Sequence, residues 1–309
     1  MDKWKVYTPY NKGTMIENEN GQAFLCIQSH TSQAEFQKRF WRKWKPAKVI
    51  QQAEEWDTGM DIKAITSMSE EYYEHCGRVM LRSWKKNWSR VVPIYVYNEK
   101  NFRVKVTGAL TKGWNLGNDF LAFQRRHQNS KVKTFAKKAY PIIDAMENLD
   151  CDRLMWLDAD SVMLKAPPKP FFSLICPDDV LSAHFEVWHS WPSESDPDRM
   201  AHSCETGFFI LNKRHPGFEF FKETYKRIYN TDDVQDIRRF YDGEVYGKTV
   251  QLCKEKGYKM MDLNPGKHKT PISRSIIAPY LAHYKAGLKD SIDFDSLLAE
   301  IEDSPDDEV

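Results

Sequence analysis

The chain has 309 residues, with 45 Lys and Arg against 44 Asp and Glu, so its formal charge of +1 supplies no whole-molecule field for a nucleic acid or an anionic membrane. A 41% apolar and 13% aromatic composition excludes a disordered, fibrous or membrane-spanning chain, and the length suits one large α/β domain with additions at roughly 150 residues per domain. Six cysteines, Cys26, Cys76, Cys151, Cys176, Cys204 and Cys253, form no CxxC pair and read as reduced thiols. The opening MDKWKVYTPYNKG lacks a leader-like apolar run, and no stretch reaches about 18 apolar residues. A cytoplasmic protein, or one at the inner face of a membrane, is the expectation.

Residues 1–60 read as a polar, irregular N-terminal extension, basic and aromatic in its most distinctive stretch. That stretch, Lys38 to Lys48, holds six Lys or Arg, three aromatics and no acid. Phe40, Trp41 and Trp44 beside cations would suit RNA or a peripheral membrane surface, but a basic amphipathic helix packed on the main domain needs no ligand and is the preferred reading.

From Asp61 the pattern is α/β. IKAIT reads as a strand, Glu70 to Trp88 as a helix and VVPIYVYN as the next strand, a βαβ beginning. Residues 101–118 read as loop or sheet edge, Asp119 to Gln128 as a short helix, and Lys133 to Leu149 as a helix that Pro141 starts, kinks or divides. Arg153 to Leu157 is a strand ending in two acids, and Ser161 to Leu164 is extended. Asp179 to Phe185 reads as a strand, Glu186 to His202 as a long loop and Thr206 to Leu211 as a strand. Pro216 opens a helix, and Asp233 to Arg239 is read as helical. The segment from Asp290 to Val309 has nine acids and no base, a short helix ending in an acidic tail over 291–309. No internal repeat is visible, and one αβα domain spanning 61–290 is expected to carry the chemistry.

In DRLMWLDADSVML, Asp158 and Asp160 stand two apart, so in extended backbone both carboxylates leave on one side with small Ala159 between them. Such a pair can share a hard cation. Mg²⁺ or Mn²⁺ would neutralise a departing diphosphate there.

The apolar strand ending in LDAD resembles the DxD element of nucleotide-sugar glycosyltransferases of the GT-A fold. HYKAGLKD, His283 to Asp290, resembles the His-x-x-Gly-x-x-Lys signature of the glycogenin and lipopolysaccharide galactosyltransferase-like group, glycosyltransferase family 8, with the lysine one position early. The resemblance implies an αβα sandwich around a mixed, mainly parallel, Rossmann-like sheet. It implies an Mn²⁺ or Mg²⁺ ion held by Asp158, Asp160 and His283. It further implies a nucleotide-sugar donor, a UDP-sugar ahead of a GDP-sugar, bound by Asp158, Gly287 and Lys289, or by Lys285 if the register shifts.

CETGFFILN resembles the family's FNSGVMLIN strand, with Glu205 and Thr206 in place of Asn-Ser, which makes Glu205 a candidate for the sugar pocket or an exposed strand-end acid. In FYDGEVYGK, Asp242 matches the Asp of the family's Asp-Gln pair while Gly243 replaces the Gln. Asp242 would orient an acceptor hydroxyl or the donor sugar, with Glu244 as an alternative, or the two residues simply make a turn. Thr66 follows the first strand, where such enzymes meet the nucleotide. Lys133, Lys137 and Lys138 precede the metal strand, and Lys133 and Lys137 can share a helix face, which makes Lys137 the donor-binding candidate. His184 is placed near the sugar or in half-buried packing.

The implied reaction is sugar transfer to an acceptor hydroxyl, with retention inherited from the resemblance. The acceptor (glycan, glycolipid or protein) and the oligomeric state stay open. A nucleotidyltransferase is the rival enzyme, and a noncatalytic RNA- or lipid-binding protein the rival from another class. GxGxxG and GxxxxGK[ST] are both absent, which disfavours a Rossmann dehydrogenase and a P-loop enzyme.

Overall fold

The computed structural model describes six short strands between residues 2 and 43, together with residues 60–113, 117–168, 171–187, 203–232, 237, 240–264, 271–284 and 293–302. The chain divides into two compact units, Met1–Thr58 and Gly59–Val309.

In the first unit, β1 (Asp2–Lys3), β3 (Met15–Glu17), β4 (Ala23–Cys26) and β6 (Trp41–Lys43) form one sheet in that order, while β2 (Pro9–Tyr10) pairs with β5 (His30–Thr31). The expectation of an irregular extension is corrected here, as is that of a helix over the basic stretch. Trp41, Arg42 and Lys43 pair antiparallel with Cys26, Leu25 and Phe24, and such pairing overrides local helical spacing. The rest of Lys38 to Lys48 lies outside the described residues.

The second unit is a sandwich around a seven-stranded sheet. From edge to edge run β14 (Met260–Asp262), β12 (Ser182–Val187), β13 (Ser203–Asn212), β10 (Arg153–Leu157), β7 (Ile62–Met68), β8 (Ile94–Asn98) and β9 (Leu110–Gly113). Strand β13 runs antiparallel to both its neighbours, and the other pairs are parallel. Side chains alternate between two cores as the pleat requires. Ala64, Met155, Leu157, Phe208 and Ile210 face one, and Ile65, Leu154, Trp156, Phe209 and Leu211 face the other. Burial on both faces explains why these strands read as apolar runs rather than alternating ones.

The first core is covered by α2 (Arg78–Asn87), through Met80, Leu81 and Trp84, and by α5 (Phe171–Ile175). The helix predicted from Glu70 is a composite: α1 (Glu70–Tyr72), capped by Ser69, then a π-helical turn over Tyr73–Gly77, then α2. The second core is covered by α3 (Gly117–Arg126), α4 (Ser130–Asn148), α6 (Phe218–Thr231) and α7 (Asp242–Glu255). Helix α4 runs unbroken through Pro141, because apolar residues on both sides of the proline are buried. Beside the main sheet, β11 (Ser161–Met163) pairs antiparallel with β15 (Leu281–His283), setting Ser161 opposite His283. The last helix, α8 (Phe294–Glu302), buries Phe294 and Leu298 against Cys76, Val79 and Val162.

Two local expectations are corrected, and a third is not tested. Strand β12 starts at Ser182 because Val180 N–H closes a turn onto Pro177 O at 3.0 Å, and it continues through Glu186 and Val187 instead of ending in a loop. Asp242 and Gly243 open a helix rather than a turn. Asp233–Arg239 falls largely outside the described residues. No helix among the described residues is long and apolar enough to cross a membrane.

Asp144 ties α4 to the sheet edge. It accepts from Tyr97 Oη at 2.6 Å, Lys112 Nζ at 2.5 Å and Asn148 Nδ2 at 2.9 Å. Burial alone would raise its pKa, but these hydrogen bonds hold it below the usual carboxylate value. A depressed folded-state pKa contributes stability that is present at neutral pH and is lost on acidification through that pKa. The melting temperature of the native chain is therefore expected to fall more steeply between about pH 5 and pH 2 than that of Asp144→Asn, read by circular dichroism. Parallel acid curves would refute the clamp.

Candidate metal and donor site

The site lies at the carboxyl ends of β7 and β10, where the parallel half of the sheet meets antiparallel β13 and open α/β sheets present their crevice. Asp158 and Asp160 follow β10 directly. His283 arrives from 123 residues further along, because β15 pairs with β11 and Tyr284 N–H donates to Asp160 O at 3.0 Å.

His283 Nε2 lies 3.1 Å from Asp160 Oδ1 and 3.6 Å from Asp158 Oδ2. The three residues bring ligand atoms within 4.8 Å of one another. Ligands at about 2.1 Å on adjacent corners of an octahedral ion stand about 3 Å apart, so the cluster is close to the size a Mg²⁺ or Mn²⁺ ion requires. Two carboxylates and one imidazole are also the donor chemistry such ions accept.

The groups behind these ligands divide their oxygens between structure and site. Asp158 Oδ1 accepts from Trp156 Nε1 at 2.7 Å and pairs with Lys138 Nζ at 2.7 Å, leaving Oδ2 toward His283. Asp160 Oδ2 accepts from Tyr72 Oη at 3.2 Å while Oδ1 faces the imidazole. Burial would raise the Asp158 pKa, but Lys138 and His283 hold it far below the usual range. Burial would lower that of His283, yet Asp158 and Asp160 outweigh it and push the imidazole up to about 10. Desolvation and the nearby carboxylate of Asp160 keep the Tyr72 phenol protonated and hence a donor.

Lys138 is buried and joins two halves of the site. Besides Asp158 it holds Asp242 Oδ2 at 2.9 Å, donates to Thr206 O at 2.5 Å and lies over the Trp156 ring at 5.1 Å. Asp242, at the start of α7, also accepts from Thr206 Oγ1 at 2.6 Å. Helix α7 approaches β13 so closely that a Cβ on Gly243 would sit 2.4 Å from Cys204 O, which explains a glycine inside that helix.

Five of the residues singled out from the sequence are brought together here, Asp158, Asp160, His283, Asp242 and Glu205. Thr66 is wholly buried on β7, and its Oγ1 has no hydrogen-bond partner among the described residues. Lys137 instead pairs with Glu99 at 2.8 Å, while its neighbour Lys138 turns inward. His184 is buried, 3.4 Å from Ser182 Oγ through Nδ1 and 3.6 Å from Glu186 through Nε2. Gly287, Lys289 and Lys285 lie outside the described residues. Sequence reasoning missed Tyr72 and Trp156, and only helix phase separates Lys138 from Lys137.

No protein-family model matches the chain, and a search of curated proteins finds no match. Solved structures do match. The apo structure of WbbM, a bifunctional glycosyltransferase, superposes with TM-score 0.50 at 12% identity, over 94% of this chain and 55% of that one. The galactosyltransferase LgtC, in complex with donor and acceptor sugar analogues, gives 0.47 at 14% over 79% and 98%. The apo glycosyltransferase GlyE of Streptococcus pneumoniae TIGR4 gives 0.44 at 11%, over 78% of this chain and 63% of that one. The chain thus spans less than two thirds of both WbbM and GlyE. At these identities the likeness is one of fold: the second unit is a GT-A-type, Rossmann-like α/β sandwich carrying a candidate divalent-metal cluster.

Proposed function

We propose that the chain is a metal-dependent glycosyltransferase of the family 8 type. It would transfer a sugar from a nucleoside-diphosphate donor, a UDP-sugar ahead of a GDP-sugar, to an acceptor hydroxyl with retention of configuration. The observation that carries this reading is the convergence of Asp158, Asp160 and His283 at the carboxyl end of β10. A bound Mn²⁺ or Mg²⁺ ion would supply positive charge to the departing diphosphate.

The protein's own groups have distinct parts in this reading. Asp158, Asp160 and His283 would hold the ion. Thr66 is assigned to the donor on the sequence resemblance, although its side chain is wholly buried on β7. Lys138 keeps a cation beside Asp158 and orders Asp242, which would orient the sugar or the acceptor hydroxyl. Gly287 and Lys289 are assigned to the diphosphate on the sequence resemblance. Five cysteines, Cys76, Cys151, Cys176, Cys204 and Cys253, are free and buried, which supports the cytoplasm as compartment.

The test is a binding screen of the full chain against UDP-sugars, GDP-mannose and nucleoside triphosphates, with Mn²⁺ or with EDTA. Mn²⁺-dependent binding of one nucleotide-sugar is expected. Preference for a triphosphate would replace this reading with a nucleotidyltransferase, and nucleotide-independent binding of RNA or lipid alone would replace it with a noncatalytic role.

A further inference from the structure

Strand β13 is irregular where it passes the metal cluster. Against β12, Ala183 pairs with Ile210 and Phe185 with Glu205, so two steps on one strand span five on the other. Bulges of this kind re-aim side chains beside functional sites. Here the irregular stretch delivers Thr206 O to Lys138 and Gly207 to the imidazole of His283. A Cβ at Gly207 would lie 2.4 Å from His283 Cε1 and 2.5 Å from Nδ1, so the ring rests on bare backbone.

Glu205, one residue before the irregularity, faces the other edge of that ring. Its Oε1 is 3.7 Å from His283 Nδ1 and accepts from Gly207 N–H at 3.2 Å. The side chain is only 8% exposed. A carboxylate buried to that degree requires polar partners, and its backbone anchor fixes where it points. The imidazole therefore lies between Asp160 at Nε2 and Glu205 at Nδ1. An imidazole can donate a lone pair from Nε2 only when its other proton stays on Nδ1, and an acceptor at Nδ1 selects that tautomer. Closing 3.7 Å to hydrogen-bond length needs a ring swing of about 0.7 Å.

We infer that Glu205 is a positioning residue, not a sugar-pocket residue: it holds His283 with Nδ1 protonated and turns Nε2 toward the ion shared with Asp158 and Asp160. The inference rests on the metal-site reading above and adds the residue that orients its histidine. Among metal-binding histidines, removal of such a partner weakens affinity by about 10- to 100-fold.

The experiment is a Mn²⁺ titration of the full chain, with free ion followed by electron paramagnetic resonance, on the native protein, Glu205→Ala, Glu205→Gln and His283→Ala. Glu205→Ala is expected to weaken Mn²⁺ by about 10- to 100-fold. Glu205→Gln, whose amide oxygen still accepts from Nδ1–H, should recover most of that loss. With Zn²⁺ as a diamagnetic probe, ¹⁵N spectra should show His283 protonated at Nδ1 in the native chain and a mixed or shifted state in Glu205→Ala. Native-like circular dichroism of the isosteric Gln variant separates positioning from misfolding. Glu205→Ala affinity within about twofold of native, with His283→Ala much weaker, would overturn the Glu205 role and leave the metal site standing. Unchanged affinity in His283→Ala would overturn both. A Gln variant as weak as Ala would overturn the tautomer assignment.

Discussion

Asp160→Asn is expected to fold normally and to lose nearly all metal-dependent turnover. Asparagine has the size of the residue it replaces, and Asp160 is only 4% exposed, so packing is conserved. The amide oxygen can still accept from Tyr72, which now meets Asp160 Oδ2 at 3.2 Å. What vanishes is the negative charge 3.1 Å from His283 Nε2. Without an ion, that charge together with Asp158 pushes the imidazole up to about 10, so the His283 pKa should fall in the variant. With one carboxylate fewer, the ion would be held more weakly, and under the proposed function a departing diphosphate would lose the charge that the ion supplies. Lewis-acid stabilisation of several kcal/mol corresponds to a rate loss of roughly a thousandfold. Turnover of the donor found in the binding screen, with Mn²⁺ and with EDTA, measures the loss. Metal-dependent turnover within about tenfold of native would dismiss Asp160 as a ligand.

The parts of this site that could be read from sequence are those that local geometry dictates. Asp158 and Asp160 are legible because an apolar strand ends at Leu157 in two closely spaced acids, but they sit in a turn that Ser161 N–H closes onto Asp158 O at 3.0 Å, not in the extended backbone expected of them. The strands β7, β8, β10 and β13 are legible because burial on both faces writes them as apolar runs. Contacts made across the sheet are not legible. Lys137 and Lys138 are about 100° apart on α4, so nothing local says which one reaches Asp158 and which one meets Glu99. Gly243 lowers helix propensity and suggests a turn, whereas tertiary packing against Cys204 O demands it within α7. Tyr72 reaches Asp160 across 88 residues from the start of a helix whose π-helical turn has no sequence signal. Glu205 can be flagged as a departure from a family strand, but its relation to His283 depends on the irregular pairing of β13.

Lys138→Met should be the most destabilising single change in the site. The side chain is buried, with its ammonium 2.7 Å from Asp158 and 2.9 Å from Asp242. Burial would lower its pKa, but the two carboxylates raise it instead, so the cation persists wherever the protein is folded. Methionine fills similar volume and removes the charge, which leaves Asp242 and the inner oxygen of Asp158 without their cation. Breaking a buried ion pair from one side costs about 3–5 kcal/mol. The cost should depend on pH in a defined direction. In the variant Asp158 loses the cation that holds its pKa down, so the deficit is largest at neutral pH and shrinks as Asp158 takes up a proton under acid conditions. Mn²⁺ should distinguish the two acids. An ion on Asp158 replaces part of the missing charge, so saturating Mn²⁺ should raise the variant's melting temperature more than the native one. Asp242 is not among the three residues of the candidate metal cluster, so its share of the deficit should persist. Equal stability of the variant and native chains at neutral pH without metal would show that Asp158 and Asp242 do not depend on Lys138.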